Sequence, residues 1–201
     1  AWPPFTRRCF EELPKLRAIV SHGVGYETID IQAAKDFRVS VSNTPGYCAE
    51  EVSTTAVCLL LSYIRRSPYW DAYVRRLKWG ASPTDTSGLD TLENETIGIV
   101  GFGNIGRRIR EKLQGYSATF LIYDPYAKIT EDDATKSAGL DELLSEARFI
   151  ILACPLDKTT HHLINQDTGR AFCRQHGIEY CVLPASQMAG FPEPPPRPAS
   201  R

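Results

Sequence analysis

The chain has 201 residues, 42% hydrophobic and 23% charged, which supplies a buried core and lies outside the composition of disordered chains. Twenty-three Lys and Arg against 24 Asp and Glu give a formal net charge of −1, excluding a strongly basic nucleic-acid module or a membrane-surface module. The longest apolar runs, 56–61 and 149–154, fall far short of the ~20 residues that cross a bilayer, so no membrane span is expected.

In chain order, residues 16–21 read as a buried strand, 31–37 as a short helix and 39–41 as another strand, with Thr44-Pro45-Gly46 breaking the pattern. Residues 49–65 have helical spacing, with Val52, Ala56, Leu59, Leu60 and Tyr63 on the apolar face, and a second helix is predicted over 69–79 after Pro68. The Ser-, Thr-, Asp- and Gly-rich stretch 81–95 reads as loop. A strand at 97–100 then runs into a glycine-rich loop and a helix over 107–115. A strand at 120–123 ending on Asp124, a helix at 141–147 and a strand at 149–153 follow. Strand, helix, strand, helix, strand in about 60 residues predicts parallel strands with helices on both faces: an α/β Rossmann-type doubly wound sheet.

The loop is Gly101-Phe102-Gly103-Asn104-Ile105-Gly106, a G-x-G-x-x-G placed between strand and helix, with Asp124 ending the next strand 18 residues after Gly106. That context gives the pattern its specificity. Gly101 permits the turn, Gly103 lets backbone approach a pyrophosphate, and Gly106 lets the helix pack against the strand. The helix N-terminus offers free N–H groups to the diphosphate. A carboxylate at Asp124 accepts from ribose hydroxyls and repels a 2′-phosphate, which points to NAD rather than NADP.

Six cysteines form no Cys-x-x-Cys pair, and no basic segment with an apolar stretch opens the chain, so a reduced, cytoplasmic setting is expected. His161 and His162 are adjacent and point to different sides of a regular element, and no metal site is expected. Residue 1 is Ala and the only methionine is Met188, so residue 1 is not read as a translation start.

Five ordered segments resemble the D-isomer-specific 2-hydroxyacid dehydrogenases, the group of phosphoglycerate dehydrogenase, glyoxylate/hydroxypyruvate reductase and the related C-terminal-binding corepressors. They are 22–30 (HGVGYETID), 42–46 (SNTPG) with Ala49, Glu50 and Val52, Thr91-Leu92 with 97–106, 123–126 (YDPY), and 153–156 (ACPL) with Thr159, Thr160 and 163–165 (LIN). The resemblance covers roughly 13–172. It implies a remnant of a flavodoxin-like substrate domain over 1–42, an incomplete NAD-binding domain over 43–172 and a divergent tail over 173–201. It also implies that the backbone N–H groups of Val24 and Gly25 hold a substrate carboxylate. Asn104 and Ile105 would face the pyrophosphate, Asp124 and Pro125 the adenosine, and Cys154, Pro155 and Thr160 the adenosine ribose and phosphate. The helices at 49–79 are similar to the family's dimerisation arm, which implies a homodimer, and the substrate implied is a small 2-hydroxy or 2-keto acid.

The chain departs from the family after Phe172. The family's Asn-x-x-Arg-Gly segment and its Glu and His acid–base pair have no counterpart there, so no catalytic residue is assigned. Residues 177–183 are strand-like, and aligning Gly177 with the family's glycine puts Ala185 where the catalytic Arg belongs; His176 reads as a surface residue. Six of the 14 prolines fall after residue 183, and the tail reads as disordered. Thr54 stands where the family usually has an acidic residue. These features imply an NAD-dependent oxidoreductase truncated at both ends and inactive as this chain. The alternatives are a catalytically dead NAD-sensing or dimerising module like the corepressors, or a non-functional fragment.

Overall fold

The computed structural model describes residues 3–77, 90–165 and 168–169. The predicted strand over 177–183, His176, Ala185 and the tail at 173–201 lie outside the described residues, as do the end of the predicted 69–79 helix and part of the 81–95 loop. The chain divides into two compact units, residues 1–163 and 164–201. In the second, the Asn165 N–H donates to the Thr168 hydroxyl (2.9 Å) and the Gly169 N–H to the Asn165 carbonyl (2.9 Å).

The first unit opens with helix α1 (Arg7–Glu12), strand β1 (Ala18–Val20), helix α2 (Ile31–Asp36) and strand β2 (Ser40–Ser42). The Asp30 carboxylate caps α2 by accepting the Ala33 N–H at 2.8 Å. β1 and β2 pair in parallel as a two-stranded sheet, and a small core of Phe10, Ala33, Ala34 and Val39 lies beside it.

Helices α3 (Ala49–Ile64) and α4 (Ser67–Leu77) follow, with Pro68 in the first turn of α4, where its missing N–H costs nothing. The remaining elements are β3 (Thr96–Val100), α5 (Asn104–Leu113) with a 3-10 turn at Gln114–Tyr116, β4 (Thr119–Tyr123), β5 (Thr135–Ser137), α6 (Leu140–Glu146) and β6 (Phe149–Leu152). Strands β5, β4, β3 and β6 lie side by side in that order, all parallel.

Alternation along the strands sends Ile97, Ile99, Phe120 and Ile122 into one core with Ile109 and Leu113 of α5 and Ile64 of α3. The opposite face carries Gly98, paired in register with Leu121, and a Cβ on Gly98 would come within 2.6 Å of Leu143 in α6. Both faces are thus covered by helices, as a buried parallel sheet requires.

Two expectations need correction. α5 begins at Asn104, three residues before the predicted start, because Gly106 seats the first turn directly under the loop. In α3 the residues turned to the core are Ser53, Ala56, Val57, Leu60, Leu61 and Ile64, while Val52, Leu59 and Tyr63 of the predicted apolar face are exposed. Ser53 can be buried because its hydroxyl donates to the Glu50 carbonyl at 3.0 Å, so a polar residue opens the packed face at its N-terminal end.

Candidate functional site

Strand order reverses between β3 and β6. β4 and β5 build outward from one side of β3, and β6 lies on the other, so a crevice opens at the carboxyl ends of β3 and β6. A cavity of about 390 Å³ occupies it. Its lining brings together Gly101, Gly103, Asp124, Pro125, Cys154, Pro155 and Thr160 from the residues singled out in the sequence.

Gly101 has φ +94°, and a Cβ there would lie 2.5 Å from the Cys154 backbone nitrogen. No other residue type satisfies both conditions, and the contact brings the ends of β3 and β6 together. A Cβ on Gly106 would lie 2.2 Å from the Gly101 carbonyl oxygen, so the first turn of α5 sits directly against the loop. Gly103, the residue preceding α5, differs: a Cβ there meets nothing within 4 Å. Packing does not demand a glycine at 103. Free space beside the first-turn amides of a helix is where an anionic group approaches.

Asp124 ends β4. Its Oδ2 accepts the Phe102 N–H at 2.7 Å, and its Oδ1 accepts the Tyr126 and Ala127 N–H groups at 2.9 and 3.0 Å. Burial works against its charge, but these three amides and the Arg107 guanidinium outweigh burial and hold the carboxyl below the usual carboxylate range. Two oxygens offer about four acceptor positions, so three amides leave room for one further donor.

The far wall is the turn after β6. The Thr160 hydroxyl donates to the Pro155 carbonyl at 2.6 Å and accepts the Asp157 N–H at 2.8 Å. Asp157 Oδ1 accepts from the Thr159 N–H (2.7 Å), the Thr159 hydroxyl (2.6 Å) and the Thr160 N–H (3.1 Å). Between the walls, burial and then the fields of Asp157 and Asp124 push the Cys154 thiol upward, against one backbone hydrogen bond, so it is a neutral lining group.

Asp157, Tyr126 and Leu163 also line the cavity and were not anticipated. The turn signature Asp157-Lys158-Thr159-Thr160, an Asx-capped pattern, could have pointed to Asp157. Asn104, Ile105 and Gly106 are not lining residues; they form the first turn of α5. Val24 and Gly25 do not line this cavity either. They belong to the loop after β1, where Thr44, Asn43 and Ser21 side chains donate to the carbonyls of Gly23, Val24 and Gly25 at 3.2, 2.8 and 3.0 Å. The N–H groups of Val24 and Gly25 donate to no partner among the described residues. The Glu27 carboxylate lies against Gly25. Among the described residues, no group of three or more His, Cys, Asp or Glu side chains is placed to hold a metal ion, and no helix is long and apolar enough to cross a membrane.

Residues 57–174 match the family described as D-isomer specific 2-hydroxyacid dehydrogenase, NAD binding domain. The chain belongs to that family. It is 35% identical over 178 residues to a glyoxylate reductase of Korarchaeum cryptofilum, covering 85% of this chain and 52% of that protein. It is 34% identical over 168 residues to a glyoxylate reductase of Pyrococcus horikoshii, with 80% and 50% covered. Among solved structures it is similar to D-lactate dehydrogenase from Aquifex aeolicus complexed with NAD and lactic acid (TM-score 0.74, 27% identity, 83% and 50% covered). It is also similar to NAD-dependent formate dehydrogenase from Staphylococcus aureus in complex with NAD (TM-score 0.72, 28% identity, 83% and 50% covered). The chain spans about half the length of these relatives. Its sheet is a Rossmann-like NAD-binding domain, and NAD is the cofactor of that domain. The open space at Gly103 and the anionic Asp124 suit a diphosphate and a ribose, and the cavity lies within the ~300–1,000 Å³ range of small-molecule sites.

Proposed function

We propose that this chain carries the adenosine-binding half of the cofactor site of an NAD-dependent 2-hydroxyacid dehydrogenase. Gly101, Gly103, Asn104, Ile105 and Gly106 serve the pyrophosphate, Asp124 and Pro125 the adenosine, and Cys154, Pro155 and Thr160 the adenosine ribose and phosphate. The cavity at the strand-order reversal, with open glycine on one side and an ionised Asp124 on the other, carries this reading. NAD, when bound, supplies or accepts a hydride; the residues here bind and orient it.

The substrate class is a small 2-hydroxy or 2-keto acid, with its carboxylate on the N–H groups of Val24 and Gly25. In support, those two amides donate to no partner among the described residues while the loop's carbonyls are engaged. Residues 1–42 are then the part of a substrate domain that ends at β2, 43–172 the NAD-binding domain, and 173–201 a divergent tail. A cytoplasmic setting accords with four free thiols, Cys9, Cys48, Cys58 and Cys154, among the described residues.

Turnover requires an acid–base group and an Arg for the substrate, and no Asn-x-x-Arg-Gly, Glu–His continuation follows Phe172 in this sequence. Loss of acid–base catalysis alone removes ~10²- to 10⁴-fold in rate. The 201-residue chain is therefore a binder with negligible turnover. A homodimer through 49–79 is part of the same reading, supported by the exposed Val52, Leu59 and Tyr63 on α3. The test is calorimetry with NAD and with ADP-ribose. Equal affinities are expected if only the adenosine half binds. A marked preference for NAD, or NADH-dependent reduction of glyoxylate at ordinary enzyme rates, contradicts it.

A further inference from the structure

The cavity is lined by charges of one sign. Asp124 and Asp157 are its only lining residues that are charged at neutral pH, and no Lys, Arg or His is among the described residues that line it. The two carboxylates stand on opposite walls, one at the end of β4 and one in the turn after β6, with the Cys154 thiol within the field of both. Asp157 is fixed there. The Thr159 hydroxyl, followed by the Thr159 and Thr160 amides, secures its Oδ1 and holds it in the ionised form. Every hydrogen bond its carboxylate accepts falls on that oxygen, so Oδ2 accepts none among the described residues. Arg107, whose charge acts on Asp124, is not among the lining residues. Its guanidinium lies 4.7 Å over the Phe102 ring and donates to the Lys128 carbonyl at 3.3 Å.

We infer that Asp157 is a second specificity-determining carboxylate that, together with Asp124, excludes a 2′-phosphorylated adenosine, so that the pocket accepts NAD and rejects NADP. This rests on the reading that the cavity holds the adenosine end of the cofactor. A 2′-phosphate adds roughly −1.5 to −2 charges at neutral pH. Turning it from Asp124 within one cavity moves it toward Asp157, and the clamped Asp157 carboxylate cannot swing clear. Two fixed charges on facing walls leave no orientation of low repulsion. An unphosphorylated ribose meets no such penalty, because hydroxyls donate to carboxylates.

The test uses the full 201-residue chain, with ADP-ribose and 2′-phospho-ADP-ribose as calorimetric probes. Asp157→Asn keeps the oxygen that caps the turn and removes only the charge; Asp157→Ser does the same with a shorter side chain. Both variants are expected to raise the affinity for 2′-phospho-ADP-ribose relative to ADP-ribose by about fivefold, the effect of one carboxylate several ångströms away in a wet cleft. High salt is expected to narrow the discrimination of the unsubstituted chain. Normal ADP-ribose binding with an unchanged ratio in both variants overturns the role of Asp157 alone. Failure of the unsubstituted chain to bind ADP-ribose overturns the pocket assignment, and this inference with it.

Discussion

The Asp124 carboxylate accepts the Phe102 backbone N–H at 2.7 Å, so the residue immediately after β4 pins the glycine loop that leaves β3. The same carboxylate holds the turn at Tyr126 and Ala127. It therefore shapes the cavity before any ligand arrives. Asp124→Asn leaves one oxygen to serve amides on two sides and turns an NH₂ group toward the others. A loss of about 1–3 kcal/mol in unfolding free energy is expected from urea titration, with ADP-ribose affinity falling at least tenfold.

Gly101 and Gly103 are expected to fail differently. At Gly101 a Cβ meets the Cys154 backbone at 2.5 Å with φ at +94°, and the atoms it meets are backbone rather than the end of a flexible side chain. Gly101→Ala is expected to cost more than about 3 kcal/mol and to yield little folded protein. Gly103 has φ −76° and open space where a Cβ would go. Gly103→Ala is expected to unfold within about 1 kcal/mol of the unsubstituted chain while binding NAD at least tenfold more weakly, because the methyl group occupies the path of the diphosphate. Thermal denaturation and calorimetry on both variants separate the two outcomes.

Acid stability depends on the α3–α5 contact. Glu50 on α3 accepts from Arg108 Nε at 2.6 Å and from Lys112, both on α5, and these side-chain hydrogen bonds pull its carboxyl down from 4.5 to about 2. A depressed folded-state value means the contribution is fully present above about pH 4.5 and disappears as pH falls toward 2. Glu50→Gln is expected to flatten the dependence of the urea midpoint on pH within that window and to leave its shape above pH 5 unchanged. An identical acid limb in both chains contradicts the clamp.

Leu59 and Tyr63 are 66% and 69% exposed on the outward side of α3. If 49–79 is a dimer arm, Leu59→Arg is expected to shift the chain from dimer to monomer in sedimentation velocity with no change in its ADP-ribose affinity. A dimer unaffected by this substitution places the interface elsewhere.

Legibility followed burial. β3 and β4 were readable because strands covered on both faces are written as apolar runs, β6 because its four residues are all apolar although it is only partly buried at the edge of the described sheet, and the glycine loop because each position has a separate spatial demand. β5 was missed: Thr135-Lys136-Ser137 is a short polar edge strand with only Thr135 buried. α1 was missed because Phe10 is its only buried residue, too little to mark a period. The face of α3 was misread because a self-satisfied Ser53 stands at the N-terminal end of its buried side, and apolar spacing then favoured Val52, Leu59 and Tyr63. In the cavity, Asp157 escaped notice because its turn carries no glycine and no apolar pattern.

Hydrogen–deuterium exchange with and without saturating ADP-ribose tests the central claim most directly, because it reports where the ligand lies as well as whether it binds. Protection is expected at residues 101–106, 124–127 and 153–160, with little change in β1, α2 and β2. Binding accompanied by protection elsewhere, or no protection at these three segments at millimolar ligand, contradicts an adenosine site at the crossing of β3 and β6.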